Sequence, residues 1–378
     1  MKLIVADAQS RKAFDIINIL ELIHGYKLLL FSSSQNNLFL RAVYRQNVNR
    51  LSTDSYDSFE KDLLSVIKAD GDQTYIWMTV SEKPTLYFFQ LKEKFPDLPI
   101  RALLPARSMF ELARNKADFQ AFCEARGLPV PKSYAATDLK KLEQNFHPLI
   151  AKKRIGEGSV GMKYVEHPGQ LSLLADINPD DYLIQEKVES NKNIHGIFCL
   201  AHEGEVISWH GHERLRTFPE KGGVTVFSRT QYSSELKEIA SRVLKEMKWN
   251  GFAMLEFLRD DATGGWKIIE LNPRLWGSVM LSEFCGANLL SNYVKLLTDE
   301  RPVTRKPRRE YYIRWIFPFE VLSLLKGNIS PGEFFNRKGL PTCYINFTYG
   351  GALRVFLFQV YFSFNRRSIA RFFKKLAP

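Results

Sequence analysis

Trp266 to Ser278 reads WKIIELNPRLWGS, an apolar pair followed at once by Glu270 and Asn272 with Leu271 between them. Side chains alternate along a strand, so Glu270 and Asn272 share one face and Leu271 takes the other. A second apolar run just upstream, MLEF, carries Glu256, and the turn-forming cluster DDATGG separates the two runs. A hairpin centred near Thr263 sets Glu256 directly opposite Glu270, with Asn272 one step along on the same face. Cβ atoms of such cross-strand pairs lie roughly 5 Å apart, and bare like charges at that spacing are destabilising. A divalent cation removes the problem. Mg²⁺ takes hard oxygen ligands and is commonly held by one or two carboxylates together with substrate phosphates. The alternative, a solvated acidic edge, is opposed by the apolar flanks.

A metal that meets phosphate needs a phosphate cradle. Residues 155–162 read IGEGSVGM, with Gly156, Gly158 and Gly161 around Ser159. Glycines let backbone N–H groups turn toward an anion, and Ser159 adds a hydroxyl. No Gly-Lys-Ser/Thr follows, so this is not a Walker A loop. The segment lies between two strand-like runs, PLIAKK and MKYVE, as a flap would, although a plain glycine hairpin fits the same residues. Lys152 at the end of the first run adds a point charge for phosphate. LIQEKV (183–188) reads as a strand with Glu186 inside an apolar frame; by itself it is an edge strand with one solvated acid. Lys116, in NKADFQAFCEARGLPVP, is a surface lysine unless its surroundings say otherwise.

These residues need elements to carry them. In residues 1–105, KLIVAD, YKLLLFS, TYIWMTV and LPIRALL read as strands, and AFDIINILELIHG and KPTLYFFQLKEKF as helices. That alternation predicts parallel βαβ units in an open sheet. No GxGxxG follows the first strand, so a dinucleotide fingerprint is absent. Residues 107–127 read as one helix ending at Gly127, before Pro129 and Pro131. A small α/β unit runs to about residue 190. Beyond 195 come a long hairpin-like pattern, a helix near 233–248, strands around 252–259 and 266–272, and helical segments past Gly277. RPVTRKPRRE (301–310) reads as an exposed connection.

With 378 residues, 45% apolar and 25% charged, the chain suits two or three globular domains. Cys123, Cys199, Cys285 and Cys343 are far apart and form no CxxC, which argues for a reducing compartment without structural zinc or a disulfide framework. No run of about 18 apolar residues predicts a spanning helix, and the opening MKLIVADAQS fits a first strand better than a secretory signal. The net charge of +12 is confined to one region. Residues 301–378 hold 15 Lys and Arg against three acids, while residues 1–300 are neutral.

In order and approximate spacing, the set Lys116, Lys152, GEGSVG, QEKV, Glu256 and Glu270-Leu-Asn272-Pro-Arg274 resembles the ATP-grasp superfamily. The match is nearest to its carbamoyl-phosphate-synthase-like and carboxylate–amine ligase branch, and it covers roughly residues 1–300. ELNPR paired with MLEF is its most specific part. The resemblance implies an α/β fold: an N-terminal open parallel-sheet domain (1–105), a two-part α+β ATP-grasp domain, and a small basic C-terminal segment (301–378). The two parts are a small subdomain with the Gly-rich flap (106–190) and a metal-binding subdomain (191–300). It implies ATP and two Mg²⁺ ions as cofactors, with Mn²⁺ able to substitute. Glu256, Glu270 and Asn272 would hold the metal. Lys116 and Lys152 would contact phosphates, with Gly156, Gly158, Ser159 and Gly161 closing over them. Glu186, Lys187 and Val188 would line the adenine slot. Arg274 would face the transferring phosphate or the substrate carboxylate. Two positions depart from the family's usual pattern. Lys152-Lys153 stands where Lys-Pro is common, which leaves open which lysine points inward. The segment ESNKNIHG leaves the ribose-binding acid unassigned.

Such a site suits attack of a substrate carboxylate on the γ-phosphate, then displacement of phosphate by an amine. Small-molecule carboxylate and amine substrates are the expected partners. A kinase or carboxylase on the same fold, or a non-catalytic nucleotide-binding module, are the competing readings. His212, Arg214, Arg216 and Lys221 form a basic cluster that could bind an anionic acceptor or be a solvated hairpin. Ser278 could grip a carboxylate, whereas Trp276 reads as core. The aromatic, basic C-terminal segment suits an anionic membrane surface at the inner face of a cytoplasmic membrane, with a cell-envelope or lipid-linked substrate. The alternative is a small domain packed against the ligase; nucleic acid is not expected.

Overall fold

A computed structural model of the chain describes residues 1–378 apart from 35–36, 72–73, 136–137, 157–160, 176, 191–192, 219–222, 304–309, 336–342, 346–351 and 365–378. Five short strands open the chain: β1 (Lys2–Val5), β2 (Leu28–Ser32), β3 (Val48–Arg50), β4 (Tyr75–Met78) and β5 (Ile100–Arg101). They form one parallel sheet in the order β3-β2-β1-β4-β5. Parallel strands covered on both faces must be apolar throughout, which is why KLIV and YIWM carry no alternation. Leu3 and Val5 face one core with Ile76 and Met78; Ile4 faces another with Tyr75 and Trp77. Helices α1 (Arg11–Asn18), α2 (Leu38–Tyr44), α3 (Tyr56–Asp70) and α4 (Glu82–Lys94) cover the two faces. β3, α2 and α3 are absent from the runs read off the sequence, because none shows a long apolar stretch of its own.

The single helix expected over 107–127 is two: α5 (Arg107–Arg114) and α6 (Lys116–Glu124). Asn115 separates them with extended backbone and caps α6, its side chain accepting from Ala117 N at 3.1 Å. An asparagine side chain favours this N-cap over a helix interior. The break makes Lys116 the first residue of a helix, and its backbone N–H donates to Arg154 O at 2.8 Å.

Next comes an antiparallel sheet of four strands, β6 (Ser133–Tyr134), β7 (Leu149–Lys153), β8 (Lys163–Val165) and β9 (Tyr182–Glu186), ordered β6-β9-β7-β8. The short helix α7 (Leu139–Gln144) and a 3₁₀ segment over Pro168–Leu174 accompany it.

The largest sheet has seven strands: β10 (His195–His202), β11 (Glu205–Phe218), β12 (Val224–Thr230), β13 (Gly251–Arg259), β14 (Trp266–Asn272), β15 (Tyr312–Arg314) and β16 (Cys343–Ile345). Their order is β14-β13-β10-β11-β12-β15-β16. The β10–β11 turn is Glu203-Gly204, both at positive φ (51° and 84°), the geometry a two-residue hairpin needs. One face of the sheet buries Ile197, Cys199, Ala253 and Leu255 under α8 (Ser234–Glu246). The other face joins the core of the N-terminal sheet through Phe198, Met254 and Phe252. Thus the seven-stranded sheet and the opening domain share one hydrophobic core, and the candidate site lies at its margin.

α9 (Met280–Phe284) and α10 (Leu289–Leu297) follow β14, and α11 (Val321–Leu325), α12 (Pro331–Phe335) and α13 (Ala352–Phe364) complete the described helices. α13 packs on the N-terminal domain: Phe358 stacks on Phe14 at 4.3 Å, and Arg354 pairs with Glu21 at 2.7 Å. Leu353 and Phe356 on its outer side are each 58% exposed. Among the described residues, no helix is long and apolar enough to cross a membrane.

Candidate active site

The hairpin register comes first, because it positions the carboxylates. Glu256 on β13 pairs with Glu270 on β14, and Met254 with Asn272, as the two motifs require. The row continues through Gly196 on β10, His212 on β11 and Thr230 on β12. Residues in register on antiparallel strands share a face, so one row across five strands carries two carboxylates, a glycine, an imidazole and a hydroxyl. Gly196 matters here: a Cβ on it would lie 3.0 Å from the His212 and Phe198 rings.

Cations converge on the carboxylates from three elements. Lys116 Nζ lies 3.4 Å from Glu270 Oε2 and donates to Gly156 O at 3.0 Å. It thereby ties α6 to the start of the Gly-rich segment. Lys152 turns inward from β7, 7% exposed, and donates to Ile269 O on β14 at 3.0 Å. Its neighbour Lys153 points outward, where its Cε would be 3.2 Å from a Cβ on Gly161. Lys152, not Lys153, is therefore the lysine on the carboxylate side. Burial pulls its ammonium down to about 8, while Glu270 acts in the opposite sense. On the other side, Arg214 from β11 pairs with Glu256.

The two carboxylates are driven apart in acidity. Burial raises Glu256, and the Arg214 charge only partly offsets it. Burial pushes Glu270 upward too, but Lys116, the Asn272 amide and Lys152 together hold it below the usual carboxylate range. Asn272 donates to Glu270 Oε1 at 2.8 Å and accepts from Arg274 Nη2 at 3.1 Å. Arg274 Nε also lies 3.4 Å from Glu82 at the start of α4, and Glu82 meets Arg114 at 3.1 Å. An acid from the N-terminal domain thus holds the arginine that follows the ELN motif. A buried carboxylate, a half-buried one and an amide oxygen on one sheet margin are a hard-oxygen donor set that fits Mg²⁺.

His212 is buried, and its Nδ1 lies 3.0 Å from Ser278 Oγ. Burial drives it well below its ordinary value, so it is a neutral ring and not part of a basic cluster. Arg216 pairs with Glu320 at 2.6 Å. Trp276 is packed in the core beside Phe198 at 4.4 Å. At the far edge, Glu186 accepts from Lys132 N at 2.9 Å, Lys187 pairs with Glu166 at 2.9 Å, and half-buried Val188 follows. Gly158, Ser159 and Lys221 lie outside the described residues. Sequence reasoning passed over Glu82 and Gly196. Nothing local marks Glu82 as a partner of Arg274. Gly196 did carry a signal, a lone glycine inside an apolar strand pattern.

Residues 182–317 match the family described as ATP-grasp in the biosynthetic pathway with Ter operon. That segment carries an ATP-grasp match. No curated protein matches the chain. Among solved structures, the chain resembles biotin carboxylase from Campylobacter jejuni, solved as a beta-gamma-ATP complex. The TM-score is 0.64 at 15% identity, over 82% of this chain and 74% of that one. It also resembles N5-carboxyaminoimidazole synthetase from Staphylococcus aureus, with TM-score 0.63 and 13% identity over 87% and 85% of the two chains. The Aspergillus clavatus N5-carboxyaminoimidazole synthase, solved with ADP and 5-aminoimidazole ribonucleotide, gives TM-score 0.61 at 13% identity over 82% and 80%. At these identities the likeness establishes the fold.

Proposed function

We propose that the protein is an ATP-dependent carboxylate–amine ligase. The observation that carries this reading is the Glu256–Glu270 register pair with Lys116 and Lys152 converging on it from separate elements. In the reaction, a substrate carboxylate oxygen attacks the γ-phosphorus of ATP, giving an acyl phosphate and ADP. An amine then attacks the acyl carbon, expels inorganic phosphate and leaves an amide after losing a proton. Glu256, Glu270 and the Asn272 oxygen would hold Mg²⁺, which supplies charge neutralisation at the phosphates when bound. Lys116 and Lys152 bind phosphate oxygens, and Arg274, fixed by Asn272 and Glu82, orients the reacting group. Glu186, Lys187 and Val188 line the nucleotide base, and the segment from Gly156 to Gly161 covers the phosphates and excludes water. His212 and Ser278, joined at 3.0 Å, line the acceptor side.

A carboxylase is the second reading, supported by the likeness to biotin carboxylase at TM-score 0.64. Bicarbonate would then be the acid activated. ADP release measured with and without bicarbonate, and with and without an added carboxylate and amine, separates the two. Dependence on carboxylate and amine together supports the ligase; dependence on bicarbonate alone replaces it with the carboxylase.

The proposed setting is the cytoplasmic face of a membrane, with a cell-envelope or lipid-linked acceptor. Leu353 and Phe356, each 58% exposed on α13, support this, as do the 15 basic residues against three acids past residue 300. Basic residues near anionic headgroups contribute about 1 kcal/mol each. The full-length protein should float with phosphatidylglycerol liposomes, and Leu353→Asp with Phe356→Asp should release it. Equal flotation of variant and wild type removes α13 from the contact.

A further inference from the structure

We propose that Arg11 is the anion anchor of the acceptor site, binding a carboxylate or phosphate that the acceptor carries apart from its reacting group. This rests on the ligase reading above. Arg11 is the first residue of α1, just past the carboxyl end of β1, the end of a parallel sheet where ligands bind in open α/β folds. Its Nη1 is buried with no hydrogen-bond partner. Its guanidinium sits 5.3 Å from the Trp315 ring and 5.9 Å from the Phe319 ring. A Cβ on Gly277 would be 3.7 Å from its Nη2. The arginine therefore faces the turn that follows the ELNPR motif, one residue before Ser278.

The same sheet face connects it to the carboxylates. Glu256, Gly196 and His212 share a row. Arg214, two residues on, pairs with Ser228, which pairs with Ile313. Trp315 lies two residues past Ile313, and its backbone N–H donates to Val226 O at 2.8 Å. Arg11 thus stands at the β15 side of the face, whereas Lys116 and Lys152 stand at the β14 side. Nucleotide phosphates belong to the lysines, which leaves Arg11 for the acceptor.

A purely structural arginine looks different in this protein. Arg314 is held by Glu320 Oε2 at 3.0 and 2.9 Å, by Glu320 Oε1 at 3.2 Å and by Phe334 O at 3.0 Å. Arg354 also has a buried Nε without a partner, but its Nη2 is paired with Glu21. Desolvating a guanidinium without a hydrogen-bond partner is costly, and a planar oxyanion that accepts from its fork removes that cost. Asp15 is the acid whose charge reaches it. Burial raises Asp15 to about 7, so near neutrality it is only partly ionised and offsets the arginine's charge in part.

The test is an intrinsic-tryptophan fluorescence titration of the full-length protein, in which Trp315 reports on its neighbour. Inorganic phosphate and glutarate are the probes. Wild type should give a saturable change with at least one of them. Arg11→Gln should weaken that binding at least about tenfold and Arg11→Lys by less, since lysine keeps the charge without the fork. Equal affinity in wild type and Arg11→Gln, or no saturable response in wild type, overturns the proposal. Should Arg11→Gln not fold, Arg11→Lys decides, and unchanged affinity there overturns it equally. Calorimetric binding of Mg²⁺-ATP is measured alongside. Arg11-dependent anion binding without Mg²⁺-ATP binding would refute the ligase reading while leaving the anion site in place.

Discussion

Arg214 and Lys116 each neutralise one of two carboxylates, Glu256 buried and Glu270 half-buried, and the balance differs between them. Glu256 has Arg214 and remains raised by burial; Glu270 has Lys116, Lys152 and the Asn272 amide, and is lowered despite its burial. Removing one partner of such a pair leaves an uncompensated buried charge, a loss of roughly 3–5 kcal/mol. Arg214→Met should therefore lower the melting temperature clearly, and Mg²⁺ should restore part of the loss by taking over neutralisation of Glu256. Thermal unfolding with and without Mg²⁺ checks this; a variant as stable as wild type, or one indifferent to Mg²⁺, contradicts it. The carboxylates and Asn272 were legible because motif and strand period together put them on one face, whereas the choice between Lys152 and Lys153 was not. Arg214's attachment to Glu256 was not, since it depends on how β11 lies two strands away from β13.

At the scale of elements, the β13–β14 register was readable from two apolar runs and one turn cluster, because a hairpin fixes pairing locally. The break at Asn115 was hidden: Arg114 and Lys116 on either side both suit a helix, and only the capping geometry stops it. The order of the seven-stranded sheet joins residues far apart in the chain, and no local period reports that. Gly196 is where this order makes a sharp demand. Gly196→Ala puts a methyl 3.0 Å from both the His212 and Phe198 rings, and His212 is held by Ser278. Overpacking of this kind costs about 1–3 kcal/mol. Differential scanning calorimetry should show a lower melting temperature; an unchanged one means that the rings move aside freely.

Over the whole molecule, the shared core between the opening domain and the seven-stranded sheet controls the response to acid. His210 is fully buried, stacked on Phe198 at 4.6 Å, and burial lowers it to about 3. In the unfolded chain the same ring takes a proton near 6.5. Between those values the unfolded state binds more protons, so stability falls as pH falls, by about 1.4 kcal/mol per pH unit for this one proton. His210→Phe should flatten the decline between about pH 6 and pH 4, measured by denaturant unfolding across that range. An identical slope places the acid sensitivity elsewhere. The C-terminal helix belongs to the same core. Phe358→Ala removes a ring stacked on Phe14 and should cost about 3–5 kcal/mol, read in the same unfolding experiment; near-neutrality would show that α13 does not support the domain. The basic charge of the last fifth was plain in the sequence, but its apolar partner surface on α1 and α2 was not, because amphipathicity alone does not say what covers a face.

The most direct test is ADP release from Mg²⁺-ATP over a panel of amino acids and uronic or other sugar acids, run beside Glu270→Gln. The account predicts release that needs both a carboxylate and an amine, and a fall of at least about 100-fold in the variant, since the metal and phosphate charge would lose a ligand. Turnover in Glu270→Gln equal to wild type, or a wild-type protein that binds no nucleotide in the presence of Mg²⁺, would contradict it.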